Sequence, residues 1–381
     1  MTCVVDRIDS SVPQVHALVI GVGGYRHLPG GREEAHPPPP VRGQLLSPPV
    51  SAAAFSDWAA KELRHPEAEL GSIDLLVSYA PGSDPAARRD VGVPSADAVT
   101  AAVRQWKRRC DTHEGNVALF FFAGHGLEYG SSYLLMEDYG ADSEEAPLDA
   151  ALDLTYLVKA MRQCQARHQY FLVDACRTTP RSWSGMDLPP ALRPLLSSSV
   201  AADRREEVGV LQATAGGSKA YAPPHGREPS FFTAALLEGL RGRASTYDDV
   251  SERWHVLFTR LVEDVSLRCH SAAGQVPDAQ IQGFKPWHLL PGPPRVSVVV
   301  TCRPEEAAGQ VSPSLKPHDP TAALPDAWSL MRSRWHTQAT AGQHQLEVTY
   351  VQGESFMQPP SQTVEIRPPS RSLWADAGEL P

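Results

Sequence analysis

The chain has too few cysteines, too widely spaced, to work in pairs. Six occur in 381 residues (Cys3, Cys110, Cys164, Cys176, Cys269 and Cys302), with no C-x-x-C pair. That excludes the disulfide scaffold of a small secreted domain and fits a reduced, intracellular protein. No tight local cluster of zinc-ligand spacing is present either. Runs of lysine or arginine are also absent, and the formal net charge is −9. Nucleic acids and anionic membranes select basic patches, so neither is expected as a partner. No apolar run approaches the roughly 20 residues of a membrane helix. Met1 to Gln14 carries Asp6 and Asp9 and lacks the apolar core of a secretory signal. The expectation is a soluble, cytoplasmic protein without internal repeats.

Strand-like and helix-like segments alternate up to about residue 290. His16 to Val22, Ile73 to Tyr79, Val117 to Phe122, Gln169 to Val173 and Val208 to Ala213 are short apolar runs of the buried-strand type. Ser51 to His65 and Ser95 to Cys110 carry apolar residues at helical spacing, the second with Ser95 as N-cap. Asp153 is placed to cap a helix containing Leu154, Leu157, Val158 and Met161. Leu134 to Met136 reads as one arm of a hairpin. Ser230 to Arg241 and Asp248 to His270 read as amphipathic helices. The alternation predicts an α/β fold: a mostly parallel sheet flanked by helices, over residues 13–290. Beyond Pro291-Gly292-Pro293-Pro294 the helix signals fade. Val296 to Val300, Gln345 to Tyr350 and Thr363 to Ile366 predict a small β-rich, sandwich-like domain over 295–367, followed by a loose tail from Pro368. Arg26 to Pro49, with its four consecutive prolines, and Thr178 to Glu207 read as irregular insertions. Glu137 to Asp149 reads as a solvated acidic loop with no ordered calcium-ligand spacing.

Two of the apolar runs end in potential catalytic residues. Val117 to Phe122 leads into Ala123-Gly124-His125-Gly126. Gln169 to Val173 leads into Asp174-Ala175-Cys176-Arg177. Adjacent parallel strands would deliver His125 and Cys176 to the carboxyl edge of the sheet, where open α/β folds place ligands. A thiol beside an imidazole is a nucleophile with its base. Acyl transfer also needs donors for the oxyanion, and the backbone N–H groups of Gly126 and Cys176 are the candidates. Asp174 lies two residues before the thiol and so points to the same side, where its carboxylate would favour a cationic side chain.

These residues resemble the caspase and metacaspase superfamily of cysteine endopeptidases. The likeness rests on Phe122 to Gly126, on Asp174-Ala175-Cys176, and on their separation of 51 residues, against about 50 in caspases. Ala17 to Tyr25 and Ser230 to Leu240 are similar to further segments of bacterial members. The resemblance covers residues 13–290. It implies a Cys176–His125 dyad, no metal or organic cofactor, and a protein substrate. Asp174 is of the metacaspase type, which implies cleavage after arginine or lysine. The chain departs from the pattern at Ser51, where metacaspases place a second acid, and at Arg177-Thr178-Thr179 after the cysteine, where a glycine is usual. The segment after Cys176 matches a linker that many members cleave on activation. Here it holds Arg181, Arg193, Arg204 and Arg205. Similar bacterial proteins act in immunity or cell death, and the C-terminal domain would serve a regulatory partner. Two other readings stay open: an inert caspase-fold scaffold, and a different cysteine hydrolase acting on small amides or esters.

Overall fold

The computed structural model describes residues 2–36, 39, 41–84, 88–142, 145–195, 207–283, 285–350 and 360–376. The chain divides into two compact units, Met1–Leu237 with Val265–Trp287, and Glu238–Asp264 with His288–Pro381. The sequence pattern placed one break near 291, whereas the second unit also claims 238–264.

The first unit is built on a seven-stranded sheet of order β1-β3-β2-β4-β8-β9-β12. Its strands are β1 (Cys3–Asp6), β2 (Gln14–Val22), β3 (Glu69–Ser78), β4 (Val117–Gly124), β8 (His168–Ala175), β9 (Glu207–Gln212) and β12 (Asp278–Gln282). The five central strands are parallel, and the edges β1 and β12 are antiparallel. The helices are α1 (Ser47–Lys61), α2 (Ala96–Cys110), α3 (Leu154–Met161), α4 (Phe231–Glu238) and α5 (Phe258–Ala273). A small sheet of β5 (Gly126–Glu128), β6 (Ser132–Leu135) and β7 (Ala151–Asp153) follows β4.

The apolar runs are continuous because both sheet faces are covered. In β4, Phe121 stacks on Phe55 of α1 with centroids 4.4 Å apart. Its neighbour Phe120 meets Trp106 of α2 at 6.1 Å on the other face. Successive side chains of one strand thus anchor helices on opposite sides. Ser95 accepts from the Ala98 N–H at 3.3 Å and Asp153 from the Tyr156 N–H at 2.9 Å, capping α2 and α3 as the sequence indicated. α1 begins four residues before Ser51, on Pro48 and Pro49, which tolerate the first helical turn.

Further expectations fail. The helix expected from Asp248 begins only at Phe258. Before it, β10 (Ser245–Asp248) and β11 (Arg253–Leu257) form a hairpin in the second unit, with Glu252 at positive φ in its turn. Arg253 to Val256 alternates polar and apolar at the strand period, which a helical reading masks. The stretch from Glu137 is solvated only in its later part, where Asp142, Glu145 and Asp149 are exposed. Glu137 is buried and pairs with Arg26 and Arg32, and Asp138 accepts from the Ala96 N–H at the start of α2.

The strand β13 (Pro286–Leu289) straddles the division. The second unit continues with β14 (Arg295–Arg303), β15 (Val311–Pro317), β16 (Ser329–Met331), β17 (Arg334–Thr340), β18 (Gly342–Tyr350), β19 (Gln362–Ile366) and β20 (Ser370–Asp376). Sheets β16-β17-β14-β20 and β15-β18-β19 share one apolar core. Val296, Val298, Val300 and Cys302 contribute to it from one sheet, and Leu346, Val348, Val364 and Ile366 from the other. The expected loose tail is ordered over 370–376, where β20 pairs in parallel with β14. Among the described residues no helix is long and apolar enough to cross a membrane.

Candidate active site

β4 and β8 run parallel with Gly124 opposite Ala175. The next residue on each chain is His125 and Cys176. Strands lie about 4.8 Å apart, so the register alone brings the two predicted residues side by side at the carboxyl edge. Gly126 is needed for that approach. A Cβ there would come within 2.4 Å of the Cys176 carbonyl oxygen and 3.0 Å of the Ala175 Cβ. What Gly126 lets close is therefore the backbone of Cys176 itself.

His125 is buried and held at three points. Nε2 lies 2.7 Å from the carbonyl oxygen of Gly43. The main-chain N–H donates to the Tyr25 hydroxyl at 2.7 Å. The Tyr25 and His125 rings pack with centroids 4.9 Å apart. A carbonyl only accepts, so Nε2 carries the proton and Nδ1 keeps its lone pair. Burial pushes the imidazole down to about 4, partly opposed by the backbone carbonyls of Gly43 and Arg42. At neutral pH the ring is an uncharged base.

Cys176 is part-buried, and its sulfur accepts from the Ala220 N–H at 3.2 Å. Burial raises the thiol above its usual value, against the pull of that N–H. Neither side chain hydrogen-bonds the other. The Cys176 N–H makes no hydrogen bond among the described residues.

Asp174 is buried beneath the thiol. Oδ2 accepts from the hydroxyls of Ser230 and of Thr233, the latter at 2.6 Å. Ser51 joins the same network, its Oγ accepting from the Ser230 N–H at 3.1 Å. Burial raises the Asp174 carboxyl to about 6, with the two hydroxyls opposing the shift. No lysine, arginine or histidine pairs with it among the described residues.

Arg177 is a staple. Its guanidinium forks onto both oxygens of Glu128 in β5, at 3.0 and 3.1 Å, and reaches Asp278 in β12 at 2.6 Å. Its backbone exchanges hydrogen bonds with Gly217 and Ser218. The residue that breaks the expected pattern thus fixes the loop bearing Cys176. Among the linker arginines, Arg193 pairs with Asp153 and lies over the Tyr156 ring at 4.5 Å. Arg204 and Arg205 lie outside the described residues.

Sequence reading did not assign roles to Gly43, Ser230, Thr233, Ala220, Glu128 or Asp278. All but Glu128, three residues after His125, reach the site from far along the chain, and nothing local marks them. Tyr25 was visible only as the end of the Gly23-Gly24-Tyr25 turn.

A model of the caspase domain, the C14 peptidase family, matches residues 76–286. The chain belongs to that family of cysteine peptidases. An uncharacterized protein of Sinorhizobium fredii is 28% identical over 204 residues, covering 52% of this chain and 57% of that protein. A protein named a probable protease, from a Desulfuromonadales bacterium, is 28% identical over 217 residues, covering 52% of this chain and 25% of that protein. The chain thus spans less than two thirds of the length of either curated relative. The crystal structure of caspase-1 from Spodoptera frugiperda aligns with a TM-score of 0.41 at 12% identity, over 71% of this chain and 87% of that one.

Proposed function

We propose that the protein is an active cysteine endopeptidase that cleaves after a basic residue. The observation that carries this reading is the in-register pairing of the His125 and Cys176 strand ends, with Nε2 of His125 committed to Gly43 and Nδ1 left as the base. Nδ1 takes the thiol proton as Sγ bonds to the scissile carbonyl carbon. The oxyanion is met by the N–H groups of Gly126 and Cys176. The C–N bond then breaks, and His125 returns its proton to the leaving amine. Water, deprotonated by the same ring, hydrolyses the thioester. Asp174, buried and without a cationic partner, is the receptor for a P1 ammonium or guanidinium.

Around this core stand further proposals. The enzyme works in the cytoplasm on a protein substrate. The second unit serves a regulatory partner. The chain cuts itself within 178–207, at Arg181, Arg204 or Arg205 rather than at the tethered Arg193. A role in bacterial defence rests on likeness to bacterial relatives alone.

The test is a panel of fluorogenic peptides with Arg, Lys or Asp at P1, run on wild type, Cys176→Ala and His125→Ala. The expected result is turnover of basic P1 peptides by wild type only. Equal activity in Cys176→Ala overturns the protease reading. Hydrolysis of small esters without any peptide cleavage favours the alternative hydrolase. A single uncleaved band from fully active enzyme removes the self-processing proposal.

A further inference from the structure

Asp174 presents one open oxygen, not two. Oδ2 accepts hydroxyl protons from both Ser230 and Thr233, which fills its two lone-pair sites. Oδ1 accepts none among the described residues. The hydroxyls are locked in place. Ser230 Oγ also accepts from the Thr233 N–H at 3.0 Å, and the Ser230 N–H donates to Ser51 Oγ at 3.1 Å. Ser51 and Thr233 are fully buried and Ser230 is nearly so. Turning either hydroxyl away from Asp174 leaves a buried donor unmade, at a cost of about 1–3 kcal/mol.

Arginine and lysine place different demands on such a receptor. A guanidinium is a planar fork that binds best across both oxygens of a carboxylate. An ammonium is a compact charge with three donors, satisfied by one charged oxygen and neutral acceptors. Toward a substrate the site presents one free carboxylate oxygen, with the hydroxyls of Ser51, Ser230 and Thr233 buried behind it. Among the described residues no second acid joins the network, in which Ser51 contributes a hydroxyl from α1. We infer that the site prefers lysine over arginine at P1, with Ser230 and Thr233 as the specificity-determining residues. The inference rests on Asp174 being the P1 receptor, as proposed above.

The experiment compares peptides identical except for Lys or Arg at P1, at pH 8, where Asp174 is ionised. Wild type is expected to favour Lys in kcat/KM by about tenfold, the equivalent of one well-placed hydrogen bond to a charge. Thr233→Val keeps the side-chain shape but frees one site on Oδ2. It is expected to move the Lys/Arg ratio at least about fivefold toward Arg. Labelling of Cys176 by matched Lys and Arg chloromethyl ketone peptides, read by mass spectrometry, gives the same ratio without turnover. There the thiolate displaces chloride and forms a thioether. A wild-type ratio at or below one overturns the inference while leaving Asp174 as a basic receptor. Cleavage or labelling confined to non-basic P1 residues overturns both. Should Thr233→Val not fold, the wild-type ratio decides alone.

Discussion

Nε2 of His125 and the carbonyl oxygen of Gly43 lie 2.7 Å apart. This contact sets which imidazole nitrogen is basic, and the loop carrying Gly43 comes from 82 residues earlier in the chain. Gln44 fixes that loop by bonding the N–H and C=O of Tyr25 at 2.8 and 2.9 Å. Tyr25 in turn accepts the His125 main-chain N–H. The His125 imidazole is therefore aimed by a chain of contacts that begins at the turn after β2.

Removing the hydroxyl of Tyr25 should disturb that aim. Tyr25→Phe leaves the buried His125 N–H without its acceptor, a loss of about 1–3 kcal/mol. The expected outcome is a drop in kcat of about tenfold or more with KM little changed. Steady-state kinetics on the preferred peptide checks it. An unchanged kcat would show that Gly43 alone orients the ring.

Activity toward basic P1 peptides should fall on acidification through about pH 6. Asp174, raised to about 6, loses its charge there, while His125, lowered to about 4, is still an uncharged base. The sign follows: protonating Asp174 removes attraction for the substrate cation, so the acid limb belongs to substrate binding. The measurement is kcat/KM against pH. Asp174→Asn should abolish the limb near 6 and most of the preference for basic P1 residues. A limb that persists in Asp174→Asn would assign it elsewhere.

Alkylation of Cys176 in the free enzyme should climb through and beyond pH 9. Burial raises the thiol above its usual value, and only the thiolate reacts quickly. At neutral pH the resting pair is therefore thiol and neutral imidazole, and the proton moves when substrate arrives. Rates of inactivation by iodoacetamide across pH 6–10 check this. A rate already flat below pH 8 would mean a preformed thiolate.

Much of this was legible in the sequence because the central strands are buried on both faces. The apolar runs of β4 and β8 are unbroken, His125 and Asp174 are the first polar residues after them, and Cys176 follows Asp174 by two positions. The caps at Ser95 and Asp153 were readable for the same local reason. What escaped was non-local. The antiparallel edge strands β1 and β12 are short and carry little apolar signal, so pairing rather than pattern defines them. Gly43, Ser230 and Thr233 reach His125 and Asp174 through tertiary contacts that no spacing encodes. The hairpin before α5 failed for a different reason. Its four-residue alternation, Arg253 to Val256, runs directly into a helical repeat, and the longer period dominated.

Breaking the Arg177 staple should separate two effects. Glu128 takes two bonds from the guanidinium, is the less exposed of the two acids, and sits in the strand that begins one residue after His125. Asp278 takes one bond and is more exposed. Glu128→Gln should therefore cost more stability than Asp278→Asn, about 2–3 kcal/mol against less than about 1. Arg177→Lys keeps the charge but cannot fork, so it should resemble Glu128→Gln in both stability and kcat. The pairing is cooperative if Arg177→Lys adds little to Glu128→Gln in the double variant. Thermal or urea unfolding and peptide kinetics on wild type and the four variants decide it. Equal losses from Glu128→Gln and Asp278→Asn would mean that the fork onto β5 does not hold the His125 and Cys176 loops together.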